Sequence, residues 1–166
     1  MFFYYFYSII TAPGVVIHEL SHTIFCLLSG VKIYKINLFK FGRIAGYVVH
    51  DEPKKVYQSF LISFGPLFIN SFLALCLFSQ IIPPYLNLLN IIYFWLGGAI
   101  ALHAIPSTGD AQALFKATNH GFWKNPTVLI IYPFILLLYI LNFFRRLHLD
   151  IIYFILLLWL GNIYLK

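Results

Sequence analysis

The chain is short of charge, and above all of acid. Only 10% of its 166 residues are charged and only five are acidic, against about 25% charged residues in an ordinary soluble domain. So few charges cannot cover a soluble surface, and 61% hydrophobic residues with a mean hydropathy of +0.87 point to a chain embedded in a lipid bilayer. There are two cysteines, Cys26 and Cys76, far apart and each in an apolar run. This excludes a disulfide scaffold or a cysteine-based metal site. The net charge of +6 is spread between apolar runs. It is therefore no nucleic-acid footprint, and nucleic acid is excluded as a partner; such cations orient a membrane protein instead. Also lacking are a glycine-rich phosphate loop, internal repeats and a low-complexity linker. Residues 1–166 are expected to form one membrane-embedded domain, with a core at 10–120 and accessory helices at 127–166. The N-terminal Met1-Phe2-Phe3-Tyr4-Tyr5-Phe6-Tyr7 lacks the basic start of a signal peptide and reads as the start of the first span.

What is present is apolar length. Five segments, 2–29, 56–79, 86–104, 127–144 and 151–165, predict an all-α polytopic bundle of about five transmembrane helices. Pro13-Gly14 interrupts the first, either as a simple kink or as a break that admits water or substrate. Residues 31–50 differ in kind. A β-rich run at 31–39, a turn at Lys40-Phe41-Gly42 and a returning run at 44–49 predict a small β-hairpin after the first helix. Asp51-Glu52-Pro53 then reads as a helix start with proline in the first turn. With five spans, Lys32, Lys35, Lys40, Arg43, Lys54, Lys55, Lys116, Lys124 and Lys166 fall on one side, and Arg145 and Arg146 on the other. The positive-inside rule then places the chain as a multi-pass protein of the cell membrane, N-terminus outside and C-terminus in the cytosol.

Within the first apolar segment stands His18-Glu19-Leu20-Ser21-His22. A chain of this composition yields a His-Glu-x-x-His pattern by chance only about 0.003 times. On a helix, residues four apart lie about 40° apart on one face, so both imidazoles can reach one metal ion. Glu19 lies on the neighbouring face, placed to take a proton from a water on that metal. Two histidines, an open position and a carboxylate base make the zinc-hydrolase arrangement, with one Zn2+ per chain expected. A catalytic zinc needs a third protein ligand. Asp110 is the strongest choice, because it closes Ile105-Pro106-Ser107-Thr108-Gly109-Asp110, an irregular stretch directly after an apolar span. Such a stretch survives at membrane depth where it lines a polar cavity. The competing reading is that Asp110 only caps the next helix.

In these elements and in their order the chain resembles the site-2 protease family of intramembrane zinc metalloproteases. The elements are His18-Glu19-Leu20-Ser21-His22 in a membrane helix, Gly65-Pro66-Leu67-Phe68-Ile69-Asn70 in the next span, and Asp110 after a third span. The likeness covers about residues 10–120, and a β-hairpin after the first catalytic helix is also a feature of that family. Two departures stand out. Three residues separate Pro66 from Asn70 where the family has two, and Ser-Thr-Gly-Asp replaces an Asn-Pro-Asp-Gly-like element. The resemblance implies hydrolysis of a peptide bond in or near a transmembrane segment of another protein. Glu19 would act as general base and the metal would be held by His18, His22 and Asp110. Asn70 either hydrogen-bonds extended substrate backbone or makes a polar contact between helices. His103 either stabilises an oxyanion or is a buried structural residue, and it is left out of the catalytic set. The hairpin either holds substrate by strand addition or plugs one face of the bundle. Three other functions compete: a metal-ion transporter or channel using the histidines as a relay, a zinc hydrolase with a non-protein substrate, and an inactive zinc-bearing scaffold.

Overall fold

The computed structural model describes residues 2–40, 45–83, 85–122, 126–145 and 147–164. These form seven α-helices, a 3₁₀ segment and a two-stranded antiparallel hairpin. The first apolar segment is two helices, α1 (Phe2–Ile10) and α2 (Ala12–Leu28), separated at Thr11. Pro13 sits in the first turn of α2, where its missing N–H leaves no bond unmade. Just after the break, α2 comes close to α4 (Leu88–Leu102). A Cβ on Gly14 would overlap the Ala99 carbonyl and lie 2.8 Å from Nδ1 of His103, so only glycine permits that approach.

Strands β1 (Ile33–Asn37) and β2 (Tyr47–His50) pair with Ile36 opposite Val48 and Asn37 opposite Tyr47, and the register shifts between Ile33 and Lys35. The expected turn at Lys40-Phe41-Gly42 lies largely outside the described residues. The helix expected from Asp51 begins later, as α3 (Val56–Ser79). Asp51 belongs to the hairpin instead. Its N–H donates to the Lys32 carbonyl at 2.8 Å, and its carboxylate accepts from the Tyr34 hydroxyl at 2.8 Å. Gln58 fixes the start of α3, accepting from the Lys55 N–H and donating to the Ser29 carbonyl at the end of α2, both at 2.8 Å.

Helix α3 is the central post, touching α2, α4, α5 (Thr108–Phe122) and α7 (Leu149–Tyr164). It runs antiparallel to α2 and α4, with Phe25 against Gly65, Ser21 against Asn70 and Phe78 against Gly97. One buried cluster joins Ala74, Phe78, Ile81, Ile100, Ala101 and Leu157. A second joins Phe64, Ala111 and Leu114 to Ile135 and Leu138 of α6 (Tyr132–Arg145).

The end of the chain departs from the expected five alternating spans. Along α6, Phe134 meets Phe60 and Phe64, while Leu141 joins the cluster that holds Leu67. Along α7, the Tyr153 hydroxyl meets Ser71 Oγ at 2.7 Å, and Gly161 lies against Phe78. Both helices therefore climb α3 in the same direction, and α7 begins about where α6 ends. They run along α3 one after the other rather than back to back, and the C-terminal end of α7 lies beside Ile81 and Tyr85, far from the hairpin. Hydropathy registers apolar residues but carries no direction, and α7 continues along α3 in the sense of α6. Two helices, Val56–Ser79 and Val128–Arg145, are long and apolar enough to cross a membrane; 12–28, 88–102 and 149–163 are shorter apolar helices.

Candidate metal centre

His18 and His22 sit one turn apart on α2, ring centroids 4.9 Å apart and nearly perpendicular. Their Nε2 atoms lie 3.2 Å from each other. Asp110, near the start of α5, brings Oδ1 to 3.4 Å from Nε2 of His22. One ligand atom from each of the three falls within 4.8 Å of the others. A tetrahedral zinc with bonds of about 2.0–2.1 Å sets its ligand atoms about 3.3–3.4 Å apart; His22 meets that spacing to both His18 and Asp110, while the trio as a whole spans up to 4.8 Å.

Each of the three side chains is held by its remote polar atom. Nδ1 of His18 is 2.7 Å from the carbonyl of His103, at the C-terminal end of α4 where helix carbonyls lack intrahelical partners. Nδ1 of His22 is 2.9 Å from the Ile62 carbonyl in α3. A carbonyl only accepts, so each Nδ1 must carry the hydrogen, and each neutral ring then turns an Nε2 lone pair toward the site. Two lone pairs 3.2 Å apart repel unless a positive charge lies between them. A shared proton would satisfy the two nitrogens alone, whereas a divalent cation satisfies both nitrogens and the Asp110 carboxylate. The donor set fits such a cation.

Asp110 both joins a helix cap and faces the site. Its Oδ2 accepts from the Ser107 N–H at 2.7 Å and the Ser107 hydroxyl at 2.6 Å, while Ser107 Oγ accepts from the Asp110 N–H at 3.2 Å. This is a reciprocal capping box that consumes one carboxylate oxygen and leaves Oδ1 free to turn inward. Asp110 is therefore not itself the cap of a helix at 111–119: α5 begins at Thr108, Ser107 stands in the capping position, and the expected irregular stretch ends before Thr108. Ser63 Oγ donates to the Asp110 backbone carbonyl at 3.0 Å and ties α5 to α3.

The centre opens into a cavity of about 740 Å³ that includes His18, Glu19, His22 and Asp110 in its lining. Glu19 is 9% exposed. The cavity's other walls come from β2, through Tyr47, Val48 and His50, and from Ser59, Ser63 and Ser107. Gly46, just before β2, lies directly over Glu19, since a Cβ there would come 2.6 Å from Glu19 Cγ. On the rim, Lys116 and Glu52 form an exposed 2.8 Å ion pair, and the ammonium holds the Glu52 carboxyl below its ordinary range.

Asn70 is placed elsewhere. It is fully buried in the bundle, its Nδ2 pointing at the carbonyls of His103 (3.2 Å), Ile100 (3.3 Å) and Gly14 (3.5 Å). Its Oδ1 accepts from Ser21 Oγ at 3.1 Å. Asn70 does not line the cavity, and both ends of its amide are engaged by helices, so the expected contact with substrate backbone has no support in this geometry. Of its two readings, the interhelical contact is the one observed, and it braces the same His103 carbonyl that orients His18. The His103 ring likewise points back into its own helix, with Nδ1 3.0 Å from the Ala99 carbonyl.

Compared with known proteins, the chain matches no family model, no curated protein and no solved structure. Its chemistry must be argued from the site itself.

Proposed function

We propose that the chain is an intramembrane zinc metalloprotease that hydrolyses a peptide bond in or near a transmembrane segment of another membrane protein. The observation that carries this reading is the convergence of His18, His22 and Asp110, with Glu19 beside them, in a cavity walled by apolar helices and a strand edge. A zinc ion held by the trio would lower the pKa of a water at the open fourth position to about 7 and polarise the scissile carbonyl. With that ion bound, Glu19 would be placed to take a proton from the attacking water and pass it to the leaving amine. A transmembrane helix hides its peptide carbonyls in its own hydrogen bonds, so substrate must be presented extended. The edge of β2 borders the cavity and offers backbone donors and acceptors for that purpose.

The chain is read as multi-pass: α1 with α2, α3, α4, and α6 with α7 make four traverses, the short helices being supported by their neighbours. Lys32, Lys35, Lys40, Lys54, Lys55 and Lys116 gather at the hairpin end, which the positive-inside rule assigns to the cytosol. Both termini then face the other side.

Metal content of the detergent-purified protein, measured alongside cleavage of a panel of membrane-segment substrates with and without chelator, tests the reading. One zinc per chain and chelator-sensitive cleavage are expected. Stoichiometric zinc without cleavage of any protein substrate would turn the assignment toward a hydrolase of non-protein substrates or a metal-ion relay.

A further inference from the structure

Proline in the middle of a helix removes one N–H and pushes away the carbonyl four residues before it. In α3 that proline is Pro66, buried, and the carbonyl four residues before it is that of Ile62. The Ile62 carbonyl is also the one that lies 2.9 Å from Nδ1 of His22. In an unbroken helix it would be occupied by the N–H of residue 66 and turned along the helix axis.

We propose that Pro66 is a positioning residue for the metal centre: lacking an N–H, it leaves the Ile62 carbonyl free to fix the His22 ring with Nε2 aimed at the cation. His18 has a parallel device, since its partner carbonyl, that of His103, has no intrahelical partner where α4 ends and is shared only with the Asn70 amide. Helix α3 runs past the site without ending, so a carbonyl in its interior becomes available only where the ladder is interrupted. Gly65 contributes next door. Phe25 of α2 lies against its backbone so closely that a Cβ would overlap the ring, and this brings α2 near enough for His22 to reach across. The metal holds only two protein nitrogens, so loss of one ring's orientation should be felt directly in affinity.

The inference rests on the trio's being a cation site, and the test separates the two. Zinc affinity is measured by competition with a chelator of known affinity for the wild type, Pro66→Ala and Leu67→Ala. Leu67→Ala trims a neighbouring side chain of the same helix and leaves every backbone donor unchanged. Pro66→Ala restores an N–H that competes for the Ile62 carbonyl, and loss of such an outer partner typically weakens metal binding roughly 10–100-fold. Leu67→Ala should stay near wild type. Equal affinity in Pro66→Ala and wild type, or equal losses in both variants, overturns the proposal. Absence of zinc from the wild type would instead sink the cation reading. The second measurement needs no variant: histidine 15N spectra of the metal-free wild type should show His22 with its hydrogen on Nδ1. A hydrogen on Nε2 alone overturns the proposal, including in the case where Pro66→Ala does not fold.

Discussion

Glu19 stands next to a ligand in sequence but is not needed as one, because the trio supplies three ligand atoms without it. Glu19→Gln should therefore keep the fold and most of the zinc while losing turnover by roughly 10²–10⁴-fold, the usual worth of a general base. Near-normal cleavage in that variant would remove Glu19 from the mechanism. Asp110 has two jobs, and they can be told apart. Asp110→Asn keeps an oxygen for Ser107 but weakens the inward-facing ligand, whereas Asp110→Ala loses both. Metal analysis should find zinc lost from Asp110→Ala and weakened in Asp110→Asn, with α5 less perturbed in the latter. Full zinc retention in Asp110→Ala would show that the third ligand is another residue. The chain named His18, Glu19, His22 and Asp110, because ligand chemistry needs particular residue types at particular spacings. It did not show that Asn70 would be consumed by four helix-derived partners, since the direction of an amide depends on which carbonyls its neighbours leave exposed.

At the scale of elements, the hairpin is the part whose function is most open to experiment. Sequence pattern offered the hairpin as a whole, either to hold substrate by strand addition or to plug the bundle. The structure turns β2 toward the cavity and puts β1 on its far edge, so the informative substitutions lie at 47–49. Proline at whichever of Val48 or Val49 directs its N–H away from β1 removes one pairing donor. Alanine at the same position retains it. A hydrogen bond worth about 0.5–1.5 kcal/mol corresponds to roughly 2–10-fold in cleavage of a membrane substrate. The alanine variant should lose less, and both should retain zinc. Equal cleavage by the two variants would assign the hairpin a structural role as a plug. The two-stranded form was legible from β-rich runs on either side of a glycine-bearing turn. Which edge faced the metal was not, because that depends on how β1 and β2 settle against α2, through contacts such as Gly46 on Glu19.

For the whole molecule, direction of travel is the feature open to test. Helices α6 and α7 climb α3 one after the other, and Arg145 and Asp150 flank their junction, close enough to act electrostatically on both Tyr7 and His103. If the bundle spans a bilayer, these two helices would make one crossing in two pieces, with the polar turn between them sheltered by its neighbours. In sealed vesicles, a cysteine added at each terminus should react from the same side, and Lys40→Cys from the opposite side. Termini reacting from opposite sides would restore five alternating spans.

By itself the sequence determined what residue chemistry and local periodicity can determine. Low charge and long apolar runs specify helices seeking an apolar environment, β-rich residues between them specify the hairpin, and the four-residue histidine spacing specifies a shared face for two imidazoles. Tertiary structure alone decided how these parts meet. It selected the carbonyls that lock each imidazole, the oxygen of Asp110 that faces the site, the retreat of Asn70 into the bundle, and the single direction taken by α6 and α7. The physical reason is that spacing along a chain constrains only neighbours within a turn or two. Hydrogen-bond direction and helix sense at a crossing are set by surfaces distant in sequence, and those exist only once the bundle has packed.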